Sequence, residues 1–362
     1  MTEWKTYRLG DIATMKYGKL PPKNNSGRYP IWSGYRNVGL TDTYNCGKGT
    51  IIVVARGVGG TGDVKMAKED CFLTNLSIAV NLDVNICNPQ FFYYKFLLSN
   101  LKYLDSGSAQ SQITIDDLKR LQLSLPSLEE QRRIAGILGA IDDKIENNRR
   151  INTNLELQAQ ALFDKIFFED NDAERNPLSD YADINPTRTL HQGVVARYIE
   201  MANLPTRGSF PSDWSYKSYG GGCKFANGDT IMARITPCLE NGKTAYIDFL
   251  EEQEVAFGST EYIVISAKNG YCPALFYFLA RNKEFVDYAV GHMNGSSGRQ
   301  RVSGADIANF PMPHITLEES NKFAEIAMPI MDVIRNNSLE NRHLATLRDT
   351  LLPKLMNGEI KI

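Results

Sequence analysis

The sequence predicts an α+β protein in which two related globular domains, each a mainly antiparallel sheet plus helices, are joined by two long helices that form an antiparallel coiled coil. Three observations support this fold class. The chain of 362 residues repeats itself at an offset of 189 residues. Each copy ends in a long helical pattern whose apolar residues recur in alternating steps of four and three. Each copy also contains short β-rich runs separated by glycines, which is typical of antiparallel sheets.

The repeat is clearest where each globular domain ends. Segment 110–131 aligns without a gap with segment 299–320, so that Gln112 matches Arg301. Two tandem copies of a domain and a helix give a pseudo-twofold design. Such a design suits the reading of two sites on one extended, repetitive partner, and DNA is the obvious partner of that kind.

The two predicted helices carry asparagines in the middle of their apolar seams. Antiparallel packing places Asn148 opposite Asn341 and Asn152 opposite Asn337. Asparagines buried against each other fix the register of a coiled coil at some cost in stability. The alternative is that each helix is an arm of a separate bundle, but the matched asparagines favour a mutual pair that acts as a ruler. Arg348 is the one residue that fits the seam poorly.

These patterns divide the chain into four parts. Residues 1–126 form the first globular domain, 127–170 the central helix, 171–313 the second globular domain, and 314–362 the C-terminal helix. The boundaries fall where the β-rich pattern gives way to the helical seam and back again.

Both globular domains share internal landmarks. Each has a β-rich run that ends in Ala-Arg, at Arg56 in the first domain and at Arg234 in the second. A second predicted strand follows over 72–80 and over 257–265, and then comes an aromatic helix that begins with proline. The copies diverge between these landmarks, as expected if a shared frame reads a different target in each domain.

Polar side chains cluster in loops at matching places of the two domains. Arginine pairs with guanine edges, and asparagine or glutamine with adenine, so these side chains suit the reading of bases in the major groove. Lysine and other arginines more often contact phosphate, and any single member could instead belong to a solvated loop. The candidates for DNA contact are Ser33, Tyr35, Arg36, Arg56, Thr74, Asn75, Gln110 and Gln112 in the first domain, and Arg188, Lys217, Arg234, Ser259, Thr260, Arg299, Gln300 and Arg301 in the second.

Composition limits the class of protein. The formal net charge is −2, so a nucleic-acid site must rest on local positive charge. No window approaches ~18 consecutive apolar residues, and no membrane span is expected. The N-terminus has no apolar signal-peptide core, which makes the cytoplasm the expected compartment. The six cysteines lack metal-ligand or disulfide spacing and are expected to be reduced.

Two short motifs are typical of enzymes. Segment 57–62, GVGGTG, fits the G-x-G-x-x-G pattern of a dinucleotide-binding loop. The residues after it are too few and too charged to form the crossover helix, which favours a glycine-rich loop between strands. Segment 185–188, NPTR, is similar to the N-P-P-aromatic motif of amino-methyltransferases but lacks its second proline and its aromatic residue. No catalytic constellation remains, so the chain is not expected to be an enzyme by itself.

The whole chain resembles the specificity subunits of type I restriction–modification systems. Segments 125–152 (LPSLEEQRRIAGILGAIDDKIENNRRIN) and 351–360 (LLPKLMNGEI) resemble their conserved regions, and segments 29–44 and 257–265 are similar to stretches of their target-recognition domains. The resemblance implies two target-recognition domains that each read half of a bipartite site on double-stranded DNA. It further implies a subunit with neither catalytic centre nor cofactor, which recruits two methyltransferase (M) subunits and a restriction (R) motor–nuclease subunit.

The resemblance also implies that the exposed helix faces dock the methyltransferase, with Arg132, Arg133, Lys144 and Arg149 as candidates. Three other functions stay open. A free-standing DNA-binding regulator needs a strongly basic surface, and a nucleotide-dependent enzyme needs the glycine loop. A purely structural scaffold leaves the two divergent domains unexplained.

Overall fold

The structure, a computed structural model, divides the chain into two compact units. The first unit comprises Met1–Ile145 with His343–Ile362, and the second comprises Glu146–Arg342. The division lies within both long helices, because each globular domain packs against the adjoining segments of both. The residues described are 4–21, 26–34, 36–57, 60–97, 99–105, 111–169, 172, 174–268, 270–296 and 298–360.

The first unit is built around two sheets and an edge pair. Its strands are β1 (Lys5–Arg8), β2 (Ala13–Tyr17), β3 (Tyr29–Ser33), β4 (Arg36–Thr41), β5 (Ile51–Val54), β6 (Val64–Met66), β7 (Phe72–Leu73), β8 (Ser77–Leu82) and β9 (Gln122–Leu125). Its helices are α1 (Leu9–Ile12), α2 (Pro89–Leu97), α3 (Ile115–Arg120) and the first part of α4 (Leu128–Phe167). The strand orders are β2-β8-β5-β6, β4-β3-β7 and β1-β9. The pair β3 and β7 is parallel, whereas the neighbouring pairs are antiparallel.

The second unit repeats this plan. Its strands are β10 (Arg175–Pro177), β11 (Ala182–Ile184), β12 (Val195–Ile199), β13 (Ser215–Ser218), β14 (Cys223–Phe225), β15 (Thr230–Ala233), β16 (Thr244–Tyr246), β17 (Ala256–Gly258), β18 (Tyr262–Ala267) and β19 (Pro311–Pro313). Its helices are α5 (Pro273–Arg281), α6 (Lys283–Gly291), α7 (Gly304–Ala308), the second part of α4 and the first part of α8 (Leu317–Met356), whose last part belongs to the first unit. The strand orders are β11-β18-β15-β16, β13-β12-β17-β14 and β10-β19. These orders confirm the predicted α+β class and its internal repeat.

Matching helix caps show that the repeat extends to local structure. The Thr114 side chain caps α3 in a capping box with Asp117, and Ser303 caps α7 in the same way with Asp306. Both boxes satisfy backbone N–H groups that a helix start would otherwise leave unpaired. The two caps lie at the same offset as the sequence repeat.

The predicted second strand of each domain was wrong in one respect, because each is two strands in different sheets. Residues 72–80 are divided between β7, which pairs with β3, and β8, which pairs with β2 and β5. Residues 257–265 are divided in the same way between β17 and β18. A turn separates the halves, with a hydrogen bond of 3.1 Å from the Ser77 N–H to the Thr74 carbonyl. The polar residues predicted here therefore lie where the chain passes from one sheet to the next.

The aromatic helices α2 and α5 lie in the cores of their units. Phe91 and Phe92 on α2 and Phe276 and Phe278 on α5 have no exposed surface. Each buried phenylalanine stabilises its core by ~1.5–3 kcal/mol relative to an exposed one. These helices hold the sheets in place beside α4 and α8.

The long helices α4 and α8 are each 40 residues long. In the second unit they pack antiparallel: Asn148 Nδ2 donates to Asn341 Oδ1 at 3.0 Å, and Asn337 Nδ2 donates to Asn152 Oδ1 at 2.8 Å. Neither these helices nor any other in the described ranges has the apolar stretch that a bilayer crossing requires.

Candidate nucleic-acid interface

In the first unit, Arg56 and Gln112 lie opposite each other in an isolated antiparallel bridge. The Ile113 N–H donates to the Ala55 carbonyl at 3.0 Å and extends this bridge by one step. The Gln112 N–H also donates to the Asp105 carboxylate at 2.8 Å, which fixes the approach to the bridge. Arg56 is exposed and Gln112 is half-buried, so both side chains border the surface.

The turn between β7 and β8 borders the same place. The Arg56 N–H donates to the carbonyl of Leu76 at 3.1 Å, directly after Asn75 in the chain. Thr74 is only 1% exposed, and its hydroxyl donates to Ser33 Oγ at 3.3 Å. Thr74 is therefore buried and bonded to Ser33, and its contact with DNA stays a prediction. Asn75 and Ser33, both half-buried, stay candidates.

The hairpin of β3 and β4 carries the candidate Arg36. This residue is exposed and pairs at the backbone with Ser33. The predicted contacts Tyr35 and Gln110 lie outside the described residues.

The glycine-rich segment 57–62 connects β5 to β6, which are antiparallel partners. The Gly62 N–H donates to the Val54 carbonyl at 2.9 Å and closes the hairpin, while Val58 and Gly59 lie outside the described residues. A dinucleotide loop requires a strand followed by a helix whose N-terminus faces the phosphates. The segment leads directly into a strand instead, which agrees with the loop interpretation.

In the second unit, Arg234, Glu261 and Arg301 form one cluster. Arg301 Nε donates to the two carboxylate oxygens of Glu261 at 3.0 and 2.8 Å, and Arg301 Nη2 donates to Oε1 at 2.6 Å. The Arg234 N–H donates to the Glu261 carbonyl at 3.0 Å. Hydrogen bonds from Arg301 and the positive charge of Arg234 hold the pKa of Glu261 below its ordinary value.

Four other predicted residues adjoin this cluster. Ser259 Oγ accepts the Glu261 N–H at 3.1 Å, and Thr260 is exposed beside it. The Gln300 carbonyl accepts the Thr236 N–H at 3.1 Å, and Arg299 is exposed on the adjacent loop. The cluster of charged and polar side chains therefore combines two turns that are distant in sequence.

Arg188 and Lys217 are engaged elsewhere in the second unit. Arg188 Nη2 lies 2.5 Å from a carboxylate oxygen of Asp229, which is 1% exposed. This ion pair engages one nitrogen of the Arg188 side chain, which is 23% exposed, and a contact of Arg188 with DNA stays a prediction. Lys217 pairs with Glu200 at 2.6 Å and lies over the Tyr198 ring, yet it is half-exposed and stays a candidate.

The two Ala-Arg landmarks do not occupy equivalent positions, although both end a β-rich run. Arg56 faces Gln112 across its bridge, whereas Arg301 faces Ile235 on the matching side and Asn294 on the other. Arg234 therefore matches Ala55, one residue earlier. The reason is strand pairing: Val54 pairs with the first residue of β8, and the residue before Arg234 pairs with the first residue of β18.

Sequence reasoning missed Glu261. The segment that contains it resembles known recognition domains, but an acid was not expected to contribute to a site for an anionic polymer. A usable signal was the alignment of segment 72–80 with segment 257–265, which places this acid opposite the apolar Leu76.

The proposed docking residues Arg132, Arg133, Lys144 and Arg149 are all exposed on α4. Arg149 lies 4.0 Å from Glu146 one turn away, which is a weak surface pair. Over the described ranges, no group of three or more His, Cys, Asp and Glu side chains could hold a metal ion.

Comparison with known proteins identifies the family. Residues 1–157 match the type I restriction modification DNA specificity domain. The putative type I restriction enzyme MjaX specificity subunit of Methanocaldococcus jannaschii is 39% identical over 75% of this chain and 68% of that protein. The MjaIX specificity subunit of the same organism is 25% identical over 100% of this chain and 89% of that protein. The crystal structure of the type I restriction–modification S subunit from M. genitalium, 20% identical, has a TM-score of 0.67 and covers 98% of this chain and 96% of that one. The chain therefore belongs to the specificity subunits of type I restriction enzymes.

Proposed function

We propose that this chain is a non-catalytic subunit that reads a bipartite site on double-stranded DNA and holds two methyltransferase subunits and a restriction subunit there. The first recognition domain, proposed as residues 1–126, reads one half-site, and the second, residues 171–313, reads the other. Residues 127–170 and 314–362 supply the long helices, which set the spacing between the two half-sites.

One observation carries the proposal: the same scaffold position presents different chemistry in the two units. Gln112 occupies the bridge of the first unit, and Arg301 occupies the matching bridge of the second. Glutamine matches the edge of adenine, and arginine the edge of guanine. A shared frame with exchanged reading residues is the arrangement that two unlike half-sites require.

The helix pair supports a fixed spacer between the half-sites. Asn148 also donates to Glu340 Oε2 at 2.7 Å, and Asn152 donates to Ser338 Oγ at 3.1 Å. These bonds satisfy the amides only in one register, since a shifted register would bury them against apolar side chains. Each helix of 40 residues spans ~60 Å. A helix pair with one fixed register suits a site with a constant gap.

Four exposed basic side chains of α4 are the proposed contacts for the partner subunits. Arg132 and Arg133 lie near its N-terminus, and Lys144 and Arg149 lie farther along it. Because the net charge of the chain is only −2, DNA affinity in the complex would depend in large part on the partner subunits. This balance argues against a free-standing regulator, which needs tight DNA binding alone.

A selection from random DNA tests the proposal. The chain is purified with its methyltransferase subunits, incubated with a random duplex library, and the retained DNA is sequenced. We expect two short conserved blocks separated by a gap of constant length. One continuous block, or retention of DNA without any shared motif, would contradict bipartite reading.

A further inference from the structure

The guanidinium of Arg301 is held on two sides and open on the third. Nε and Nη2 donate to Glu261, and Nη1 donates to the carbonyl of Arg299 at 3.1 Å. Each terminal nitrogen carries two hydrogens and uses one of them here, so each keeps one for a further acceptor. Guanine presents two adjacent acceptors, O6 and N7, on its major-groove edge. The remaining donors of Arg301 match that pair in number and spacing.

Arg234 lies beside the ion pair of Glu261 and Arg301. Its backbone is fixed on both sides, because its N–H donates to Glu261 and its carbonyl accepts the Val302 N–H, each at 3.0 Å. Its side-chain Nε is buried and has no hydrogen-bond partner in the described part of the chain. Among the described residues, Nε of Arg188 and of Arg281 is buried and unpaired as well, so this atom by itself does not indicate a ligand. It is the two backbone bonds that hold Arg234 beside Arg301.

The ion pair between Glu261 and Arg301 favours a base over a phosphate as the acceptor for Arg301. A carboxylate bonded to Arg301 cancels the charge that attracts a phosphate. It does not weaken recognition of a base edge, which depends on the direction of the N–H groups. An arginine that binds a DNA phosphate would bind it more tightly without a carboxylate such as Glu261 beside it.

The first unit supplies an internal comparison. Gln112 stands at the position of Arg301, and Leu76, whose carbonyl accepts the N–H groups of Ala55 and Arg56, stands at the position of Glu261. The second unit therefore has a carboxylate beside its arginine, whereas the first unit has a leucine beside its neutral amide. The sheets of the two units correspond strand by strand around this position, so the fold by itself does not require an acid there. We attribute the presence of Glu261 to Arg301.

We propose that Glu261 is a positioning residue that orients Arg301 to read a guanine in the half-site of the second domain, with Arg234 beside it. The inference rests on the proposed function and assigns a residue pair and a base to one half of the site.

Two variants test this assignment in the full chain assembled with its methyltransferase. Glu261→Gln keeps the shape and removes the charge that orients Arg301. The double variant Glu261→Leu/Arg301→Gln installs the residues of the first unit. The matched control is Glu284→Gln, which removes another carboxylate bonded to an arginine, Arg175, in the same unit. The readout is the methylated motif on plasmid DNA, together with the salt dependence of binding.

We expect Glu261→Gln to reduce discrimination for guanine at one position of the second half-site by roughly 5- to 100-fold. The double variant should shift that position toward adenine, and the first half-site, the spacer and the control should be unchanged. Arg301→Lys keeps the charge without the paired donors and should lose the guanine as well; it decides the question if Glu261→Gln does not fold.

An unchanged motif in these variants would overturn the assignment. So would an equal loss of binding to all sequences with a lower salt dependence, which is the signature of a phosphate contact. Either result leaves the proposed function intact provided that the native chain gives a bipartite motif. A native chain without such a motif would instead refute the proposed function.

Discussion

Arg348 on α8 donates a hydrogen bond of 2.8 Å to Asp142 on α4. Asp142 also accepts a hydrogen bond of 2.7 Å from the hydroxyl of Tyr94 on α2. Burial and this bond to Asp142 raise the pKa of Tyr94, which therefore stays protonated and donates. The arginine that fitted poorly into the predicted apolar seam thus has a carboxylate beside the seam. The three residues connect both long helices to the core of the first unit.

A double-mutant cycle on Arg348→Met and Asp142→Asn should give a coupling free energy of about 1 kcal/mol, measured by urea unfolding. The two side chains are 22% and 30% exposed, so solvent screens them less than a surface pair. The control cycle uses Lys283 and Asp287, which are 88% and 61% exposed. A coupling no larger than in that pair would show that the contact is only a surface ion pair.

The bonded pair Asn148 and Asn341 should show a different kind of coupling. Asn341→Leu alone should destabilise the protein by roughly 1–3 kcal/mol, because it leaves Asn148 with fewer partners in a buried position. Adding Asn148→Leu should recover most of that loss, since two leucines can pack together. Asn147→Leu, at an exposed neighbouring position, is the control. Additive losses in the double variant would mean that the asparagines do not act as a pair.

The burial of Asp248 should make the free energy of unfolding depend on pH. Burial raises its pKa to about 7, with Asp332 adding to the effect and Arg335 opposing it. One of its carboxylate oxygens is buried without a hydrogen-bond partner among the described residues. The folded protein thus favours the protonated form, whereas the unfolded chain ionises near pH ~3.9. The free energy of unfolding should therefore fall as the pH rises from about 4 to about 7.

Asp248→Asn removes this cost. Urea unfolding should show the variant more stable than the native chain at pH 8, by about 2 kcal/mol and at most ~4, with a smaller difference at pH 5. Asp287→Asn, an exposed substitution with the same change of charge, should show no such trend. A constant difference across this range of pH would indicate that Asp248 is ionised in the folded protein.

Repeats and periodicity were sufficient to predict the fold class, because both are visible in the order of residues along the chain. The asparagine pairs could also be placed from sequence, since antiparallel packing about the middle of two equal helices allows few registers. The break within the predicted strands at Thr74 and at Ser259 was not visible. Each run is continuously apolar or β-branched on both sides of the turn, and only tertiary pairing shows that its halves join different sheets.

The candidate DNA contacts are harder to predict than the fold for a physical reason. Residue type indicates which side chains can bond to bases, but not whether those side chains are already bonded to the protein. Arg188 is engaged with Asp229, and Thr74 is buried, although both have suitable chemistry. Glu261 has unsuitable chemistry by itself and gains a role only through Arg301.

The proposed spacer function predicts the effect of lengthening the helix pair. One heptad is inserted between Asn152 and Leu155, and a matching heptad is inserted between Ile334 and Asn337 to keep the asparagines in register. Seven residues add ~10.5 Å of helix, so the gap between the half-sites should grow by roughly three base pairs. Selected DNA should show both half-sites unchanged. A change in the half-sites would mean that reading and spacing are not separate.

The most direct test of the central claim is a methylation map. The chain is co-expressed with its methyltransferase partner, and methylated adenines on plasmid DNA are located by long-read sequencing. Reading of one half-site by each domain predicts a single motif of two defined blocks with a gap of fixed length. A continuous motif would contradict that claim, and so would the absence of methylation when no complex with the methyltransferase forms on a sizing column.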